Sequence, residues 1–258
     1  MKCTRKIILL FITVITLAGF CFAKDVNNKD ESQNPIKEMK VLFVGNSHIN
    51  HNNLPKVLSK MAMSAEPRVL IRAMQYAPGG YTLEQHWQDS NAVKLIQKGG
   101  WDIVVLQENG DLILSNPKQM REYMGKFVAE VKKVNAKPVL FMTAAFHDKP
   151  QTIEKIAELY GDTAKELNVT VAPVGLAYKN AMEKQPGLTL HNLPDTIHAN
   201  ELGTYLTACV FYSVITGQNP KGLLNGGLNK IGQSDMQFLQ QIAWETVQGY
   251  QGNNNKTP

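Results

Sequence analysis

The chain predicts an α/β protein, a three-layer α/β/α sandwich around a parallel, flavodoxin-like sheet of about five strands. Three observations predict it. Apolar runs of strand length recur at residues 41–44, 69–73, 103–106, 138–142 and 169–172. Between them lie patterns of helical period: Leu54, Val57, Leu58 and Met61 share a face, as do Met120, Tyr123, Met124, Phe127, Val128 and Val131, and then Ile153, Ile156, Ala157 and Tyr160. The strand runs also read as apolar throughout rather than alternating, which is the pattern of a parallel sheet covered on both faces. Two further helices, over residues 201–215 and 235–248, complete the chain.

Taken in order, the elements begin after a leader. Lys2, Arg5 and Lys6 precede an uncharged apolar run over residues 7–20, and Cys21-Phe22-Ala23 stands before Lys24. This reads as a secretory signal peptide, residues 1–23, cleaved after Ala23. The run is shorter than the roughly 18 to 20 residues that a bilayer-spanning helix requires, so no stable membrane span is expected. A lipid-modified cysteine would want a small residue before it, and Phe20 occupies that place. Export to a periplasm or to the medium is the expectation, with a lipid anchor disfavoured.

Residues 24–38, "KDVNNKDESQNPIK" and the next residue, are polar and aperiodic and read as a flexible linker. One domain is expected over 39–250, and the polar "QGNNNKTP", 251–258, is expected to be a disordered tail. Cleavage would leave 235 of the 258 residues, a length that one α/β domain commonly occupies. The leader carries three of the 27 basic residues and none of the 22 acidic ones, so the net charge would fall from +5 to +2. No basic block with interleaved aromatics remains, which argues against nucleic acid as a partner. Cys209 would be the sole remaining cysteine; it shares an apolar face with Leu202, Tyr205, Leu206 and Val210 and reads as a small buried residue rather than a reactive thiol.

In an open parallel sheet, ligands bind in the crevice beyond the carboxyl ends of the strands. The stretch "VLFVGNSHINHNNLP", residues 41–55, places Ser47 at one of those ends. A serine there is ordinarily an N-cap for the following helix. As a nucleophile it would need a base to accept its proton and a third group to orient that base. "NLPDTIHANELGTYL" supplies Asp195 and His198, three residues apart in a loop before a helix, a spacing that lets the carboxylate reach Nδ1 while Nε2 faces the cleft.

The order of four blocks is more specific than either pair. Gly-Asn-Ser follows the first strand, Gly79-Gly80 in "YAPGGYTLEQHW" the second and "QENGD" the third, and Asp195/His198 precedes the last long helices. This arrangement, over roughly residues 39–217, resembles the SGNH/GDSL hydrolases, a family of serine esterases and lipases. Within them it is similar to the group with GNS as first block and D-x-x-H followed by Gly203-Thr204-Tyr205-Leu206. The resemblance implies Ser47 as nucleophile, His198 as general base and then acid, and Asp195 as the residue that orients it. It implies an oxyanion hole formed by the Ser47 and Gly80 backbone N–H groups and a side-chain amide of the third block. "LQENGD" departs from the family's Gly-x-Asn-Asp, so that amide belongs either to Gln107, which directly ends the apolar run and is favoured, or to Asn109. Asn46 stands in place of the usual Asp, a change expected to matter little for the chemistry. Ala199 follows His198 where proline is common, which would leave that loop less rigid.

The remaining histidines carry plainer expectations. His48 and His51 lack a third ligand at zinc spacing, so no metal is expected; His86, beside Trp87, reads as a packing residue rather than one that shapes a pocket rim, and His147 and His191 as loop residues. The absence of a Walker loop and of GxGxxG argues against a nucleotide, and the absence of GxSxG against the α/β-hydrolase class. No organic cofactor is expected. The expected function is an exported serine ester hydrolase, a carbohydrate O-acetyl esterase by analogy, acting on a small-molecule or glycan ester. The alternatives are a catalytically weak carbohydrate-binding surface protein, and a lipase or thioesterase of the same fold.

Overall fold

The computed structural model describes residues 37–254 of the chain, with side-chain surroundings for 38–252. The span read as an export signal, residues 24–36 of the linker and residues 255–258 of the tail lie outside the described residues. The first strand, β1 (Lys37–Val44), takes in Lys37 and Glu38, which the sequence assigns to the linker. These polar residues extend the strand by pairing with the neighbouring edge strand, Lys37 opposite Val69 and Glu38 opposite Leu70, and Glu38 meets Arg72 at 2.6 Å.

The order then runs α1 (Ser47–Asn50), α2 (Leu54–Ala62), β2 (Val69–Tyr76), α3 (Leu83–Asp89), α4 (Asn91–Gln97), β3 (Ile103–Leu106), α5 (Gly110–Ser115) and α6 (Pro117–Lys133). It continues with β4 (Lys137–Phe141), α7 (Ile153–Leu167), β5 (Thr170–Ala172), α8 (Val174–Lys184), α9 (Glu201–Thr216) and α10 (Gln233–Asn254). The five strands form one wholly parallel sheet in the order β2-β1-β3-β4-β5.

Alternation along the strands splits the core into two layers. Val41, Phe43, Ile103, Val105, Val139 and Phe141 face α2, α8, α9 and α10, whereas Leu42, Val44, Val104, Leu106, Leu140 and Val171 face α3 to α7. Every strand side chain in the centre of the sheet is thus covered, which is why these runs are apolar at every position. Helix α9 lies almost wholly inside: Tyr205, Cys209 and Phe211 are inaccessible, and burial pushes the Cys209 thiol far above its ordinary range. Helix α10 is anchored by Leu239, Ile242, Ala243 and Val247 and propagates to Asn254, past the expected domain end at residue 250.

Five helices have no apolar period long enough to be expected from sequence, the four-residue α1 among them. Helix α3 is announced instead by a capping box, in which the Thr82 hydroxyl accepts the Gln85 N–H and the Gln85 side chain accepts the Thr82 N–H. Helices α4 and α5 have seven and six residues, and α8 buries small residues such as Gly175, Ala177 and Ala181. Among the described residues, no helix is long and apolar enough to cross a membrane.

Phe211 joins α9 to the sheet, meeting Phe43 edge-on at 5.2 Å between ring centroids and Phe141 at 4.9 Å. Truncating such a ring removes buried area and leaves a cavity, so Phe211→Ala is expected to cost about 3–5 kcal/mol in urea unfolding. A loss below about 1 kcal/mol would contradict this assignment of the core.

Candidate active site

The register brings the ends of the strands level: Val44 lies opposite both Tyr76 of β2 and Leu106 of β3, and Leu106 opposite Leu140 of β4. Beyond them the backbone pairs once more, with the Gly45 N–H donating to the Tyr76 carbonyl at 3.3 Å and the Gln107 N–H to the Val44 carbonyl at 2.9 Å. Gly45 is required by close approach, since a Cβ there would stand 2.3 Å from Gln107 Oε1 and 2.6 Å from Ile49 Cδ1. The Asn46 N–H donates to Gln107 Oε1 at 2.8 Å. Beneath the loop His86 is buried with Nε2 at 2.7 Å from the Gly45 carbonyl; burial lowers its pKa, and its role is to support the loop.

Asn46, not Ser47, caps α1. Its Oδ1 accepts the His48 N–H at 3.2 Å while its Nδ2 donates to the Tyr81 carbonyl at 2.9 Å. An Asp could not make that second bond, so the asparagine at this position ties the first block to the second. Ser47 is relieved of capping. It is half-buried at the first position of α1, and its hydroxyl has no hydrogen bond among the described residues.

The histidine loop is built on a turn closed by Asp195. Oδ1 accepts the N–H of Ile197 at 2.7 Å and of His198 at 2.8 Å, and Oδ2 lies 2.7 Å from His198 Nδ1. Burial alone would raise the Asp195 pKa. The two N–H groups and the His198 ring outweigh burial and hold it at about 2, so the carboxylate is ionised wherever an imidazole can act as a base. With Nδ1 donating to Asp195, Nε2 carries the lone pair. The His198 side chain is 24 % exposed, yet Nε2 itself is buried without a partner. No hydrogen bond joins Ser47 to His198 among the described residues.

What brings His198 to the Ser47 loop is the polar segment that follows Ser47. The His51 ring stacks on His198 at 5.0 Å and 24°, and the His48 ring lies 5.8 Å away. Asn52 Nδ2 donates to the Ala199 carbonyl at 3.0 Å and to Thr204 Oγ1 at 2.9 Å, and Asn192 Nδ2 lies 2.7 Å from His51 Nε2. These bonds, with the bridge between His191 and Ala199, hold the loop that an alanine after His198 was expected to loosen. A partial signal was present: Asn52 and Asn53 both take φ of +52°, a conformation asparagine tolerates better than most residues. Burial first, then His198 and His191, bring the His48 pKa down to about 4; burial and His198 lower that of His51. Among the described residues, no three His, Cys, Asp or Glu are arranged to hold a metal ion.

Of the two amides left open by the sequence, Gln107 is turned away from the crevice. It is 0 % exposed; its oxygen accepts the Asn46 N–H and its Nε2 donates to the Glu108 carbonyl. Because its N–H continues the ladder with Val44, Gln107 is in effect one more strand residue and its side chain enters the layer. Asn109 is half-buried on the crevice side, with Oδ1 accepting the Asp111 N–H at 3.0 Å and Nδ2 donating to the Gly80 carbonyl at 3.1 Å. Gly80 is exposed with φ of +74°. Two hollows flank the loop after β4: one of about 260 Å³ between Gly110, Leu114 and Phe146, the other of about 450 Å³ between Phe146, Tyr178 and His191. The His147 N–H donates to the Thr196 carbonyl at 2.9 Å, joining this loop to the histidine loop.

Between the two amides sits Glu108, wholly buried. Burial raises its pKa to about 7 against the opposing pull of the Asn109 and Leu83 N–H groups, and Glu84 of α3 raises it further. The other titratable group facing it is the Tyr160 hydroxyl of α7. Between pH 4.5 and 7 the folded protein keeps a proton that the unfolded chain has released. The associated stability is therefore complete below about 4.5 and lost as pH rises through about 7. Relative to Glu108→Gln, the wild type is expected to lose on the order of 3 kcal/mol between pH 4.5 and 8 in urea titrations. Parallel stability curves for the two proteins would contradict this.

No family model and no curated protein sequence matches the chain. Solved structures do. A DUF4886 family protein from Bacteroides uniformis superposes with a TM-score of 0.70 at 18% identity, covering 82% of this chain and 95% of that one. A candidate SGNH hydrolase from Slackia heliotrinireducens gives 0.58 at 19%, covering 69% and 100%, and an acetylxylan esterase from Geobacillus stearothermophilus 0.54 at 13%, covering 77% and 98%. Together with the five-stranded parallel sheet in the order 2-1-3-4-5, these likenesses give the chain the fold of the SGNH/GDSL-type hydrolases.

Proposed function

We propose that the protein is an exported serine ester hydrolase with Ser47 as nucleophile, His198 as general base and acid, and Asp195 as the residue that orients the imidazole. The observation that carries this reading is the Asp195–His198 pair, whose unpartnered Nε2 lies in a ring packed on the segment that begins with Ser47. In the first half-reaction, Ser47 Oγ attacks the ester carbonyl as His198 takes its proton. The tetrahedral intermediate collapses, breaking the carbon–oxygen bond to the alcohol, which leaves with the proton from His198. Water repeats the sequence on the acyl-serine and releases the acid. The Ser47 and Gly80 N–H groups and the Asn109 side-chain amide are the donors for the oxyanion, with Gln107 supporting the loop from beneath.

The likeness to an acetylxylan esterase supports an O-acetyl ester of a carbohydrate as substrate. The hollow at Leu114, Phe146 and Ile156, whose wall also carries Asp111, Ser115 and Lys149, leaves room for a second reading, an ester or thioester of a longer acyl chain. Hydrolysis of p-nitrophenyl acetate and octanoate separates them: an acetyl esterase is expected to prefer the acetate in kcat/KM, and a preference for octanoate would replace it with the second reading.

Ser47→Ala and His198→Ala are each expected to lower kcat by at least about 1,000-fold while leaving the melting temperature within a few degrees. Asn109→Ala is expected to lose about 100- to 1,000-fold in kcat, and Gln107→Ala to show its effect first in stability. Full turnover in Ser47→Ala, or binding of acetylated glycans without any turnover by the wild type, would overturn the reading in favour of another nucleophile or of a carbohydrate-binding protein.

A further inference from the structure

Loops from strands that are neighbours in a sheet are held together by the ladder itself; loops from strands that are not neighbours need something else. The second and third blocks are of the latter kind, because β1 lies between β2 and β3. Their strands are about two inter-strand spacings, roughly 10 Å, apart.

We propose that Glu108 is the positioning residue that spans this gap and sets the two arms of the oxyanion site against each other. A single carboxylate oxygen, Oε1, accepts the Leu83 N–H at 3.1 Å and the Asn109 N–H at 2.7 Å. Leu83 opens α3, three residues beyond Gly80; Asn109 caps α5 and returns Nδ2 to the Gly80 carbonyl at 3.1 Å. These contacts close a ring, so that the Gly80 backbone and the Asn109 amide cannot shift independently.

The surroundings of the carboxyl group fit positioning better than simple stabilisation. Glu108 is fully buried, forms no ion pair among the described residues, and leaves Oε2 without a partner. An unpaired buried carboxyl group costs free energy that an apolar residue of the same volume would avoid. What such a residue could not supply is an acceptor shared by two loops.

The inference rests on the ester hydrolase reading for its catalytic consequence but not for its geometry. Its test compares Glu108→Gln, which keeps Oε1 as an acceptor, with Glu108→Met, which keeps the volume and has none. Turnover of p-nitrophenyl acetate and amide hydrogen exchange are measured on both. Glu108→Gln is expected to stay within about threefold of wild type in kcat. Glu108→Met is expected to lose about 10- to 100-fold in kcat with KM nearly unchanged, and to lose exchange protection at Leu83 and Asn109.

Unaltered kcat in folded Glu108→Met, or an equal loss in Glu108→Gln, would overturn the proposal. Should Glu108→Met not fold, Glu108→Asp, which withdraws the carboxylate by one methylene, is expected to show the same kcat loss, and its failure to do so would count against the proposal. If the wild type proves to have no esterase activity, exchange decides alone: protection lost at the two amides upholds the clamp although the hydrolase reading falls, and protection retained overturns it.

Discussion

The parallel pairing of β1 with β2 on one side and β3 on the other is the constraint from which the site follows. Because Val44, Tyr76 and Leu106 end level, the chain must leave the sheet at three adjacent points, and each exit carries one of the blocks seen in the sequence. The strand order also reverses its direction of growth at β1, the place where open sheets leave a crevice. A slip of two residues in either register would preserve the alternation of inward and outward faces while separating Ser47 from Gly80 or Asn109 by nearly 7 Å.

Above the sheet, the ladder gives way to side-chain amides. Asn46, Asn52, Asn109 and Asn192 each carry both a donor and an acceptor, which suits loops whose backbone groups have no strand to pair with. The polar stretch after Ser47 is the place where the front of the chain grips the histidine loop, nearly 150 residues later in sequence. His48, whose pKa burial brings down to about 4, lies beside His198 without adding a competing positive charge near neutral pH, and burial also lowers the pKa of the stacked His51.

Legibility divided along the same line. The five strands and the longer amphipathic helices were readable because burial on a regular lattice writes itself as period 2 or 3.6, or as an unbroken apolar run. Asp195 and His198 were readable as a pair because a carboxylate three residues before an imidazole can close a turn onto it. Which of the Gln107 and Asn109 side chains is buried was not, since it depends on whether the ladder continues one residue past β3. Nor were His51, Asn52 and Glu108, whose partners are distant in sequence and chosen by the assembled fold. The bond from Asn46 to Tyr81 was hidden for a related reason, since that contact is invisible from its neighbours.

The central claim is that Ser47 is activated by His198 within this crevice. The most direct measurement is reaction with a fluorophosphonate followed by mass spectrometry of the digested protein. The account predicts one adduct, on Ser47, formed rapidly by the wild type and lost when His198 is replaced by alanine. An adduct on a different residue, or none under conditions where the protein is folded, would contradict it.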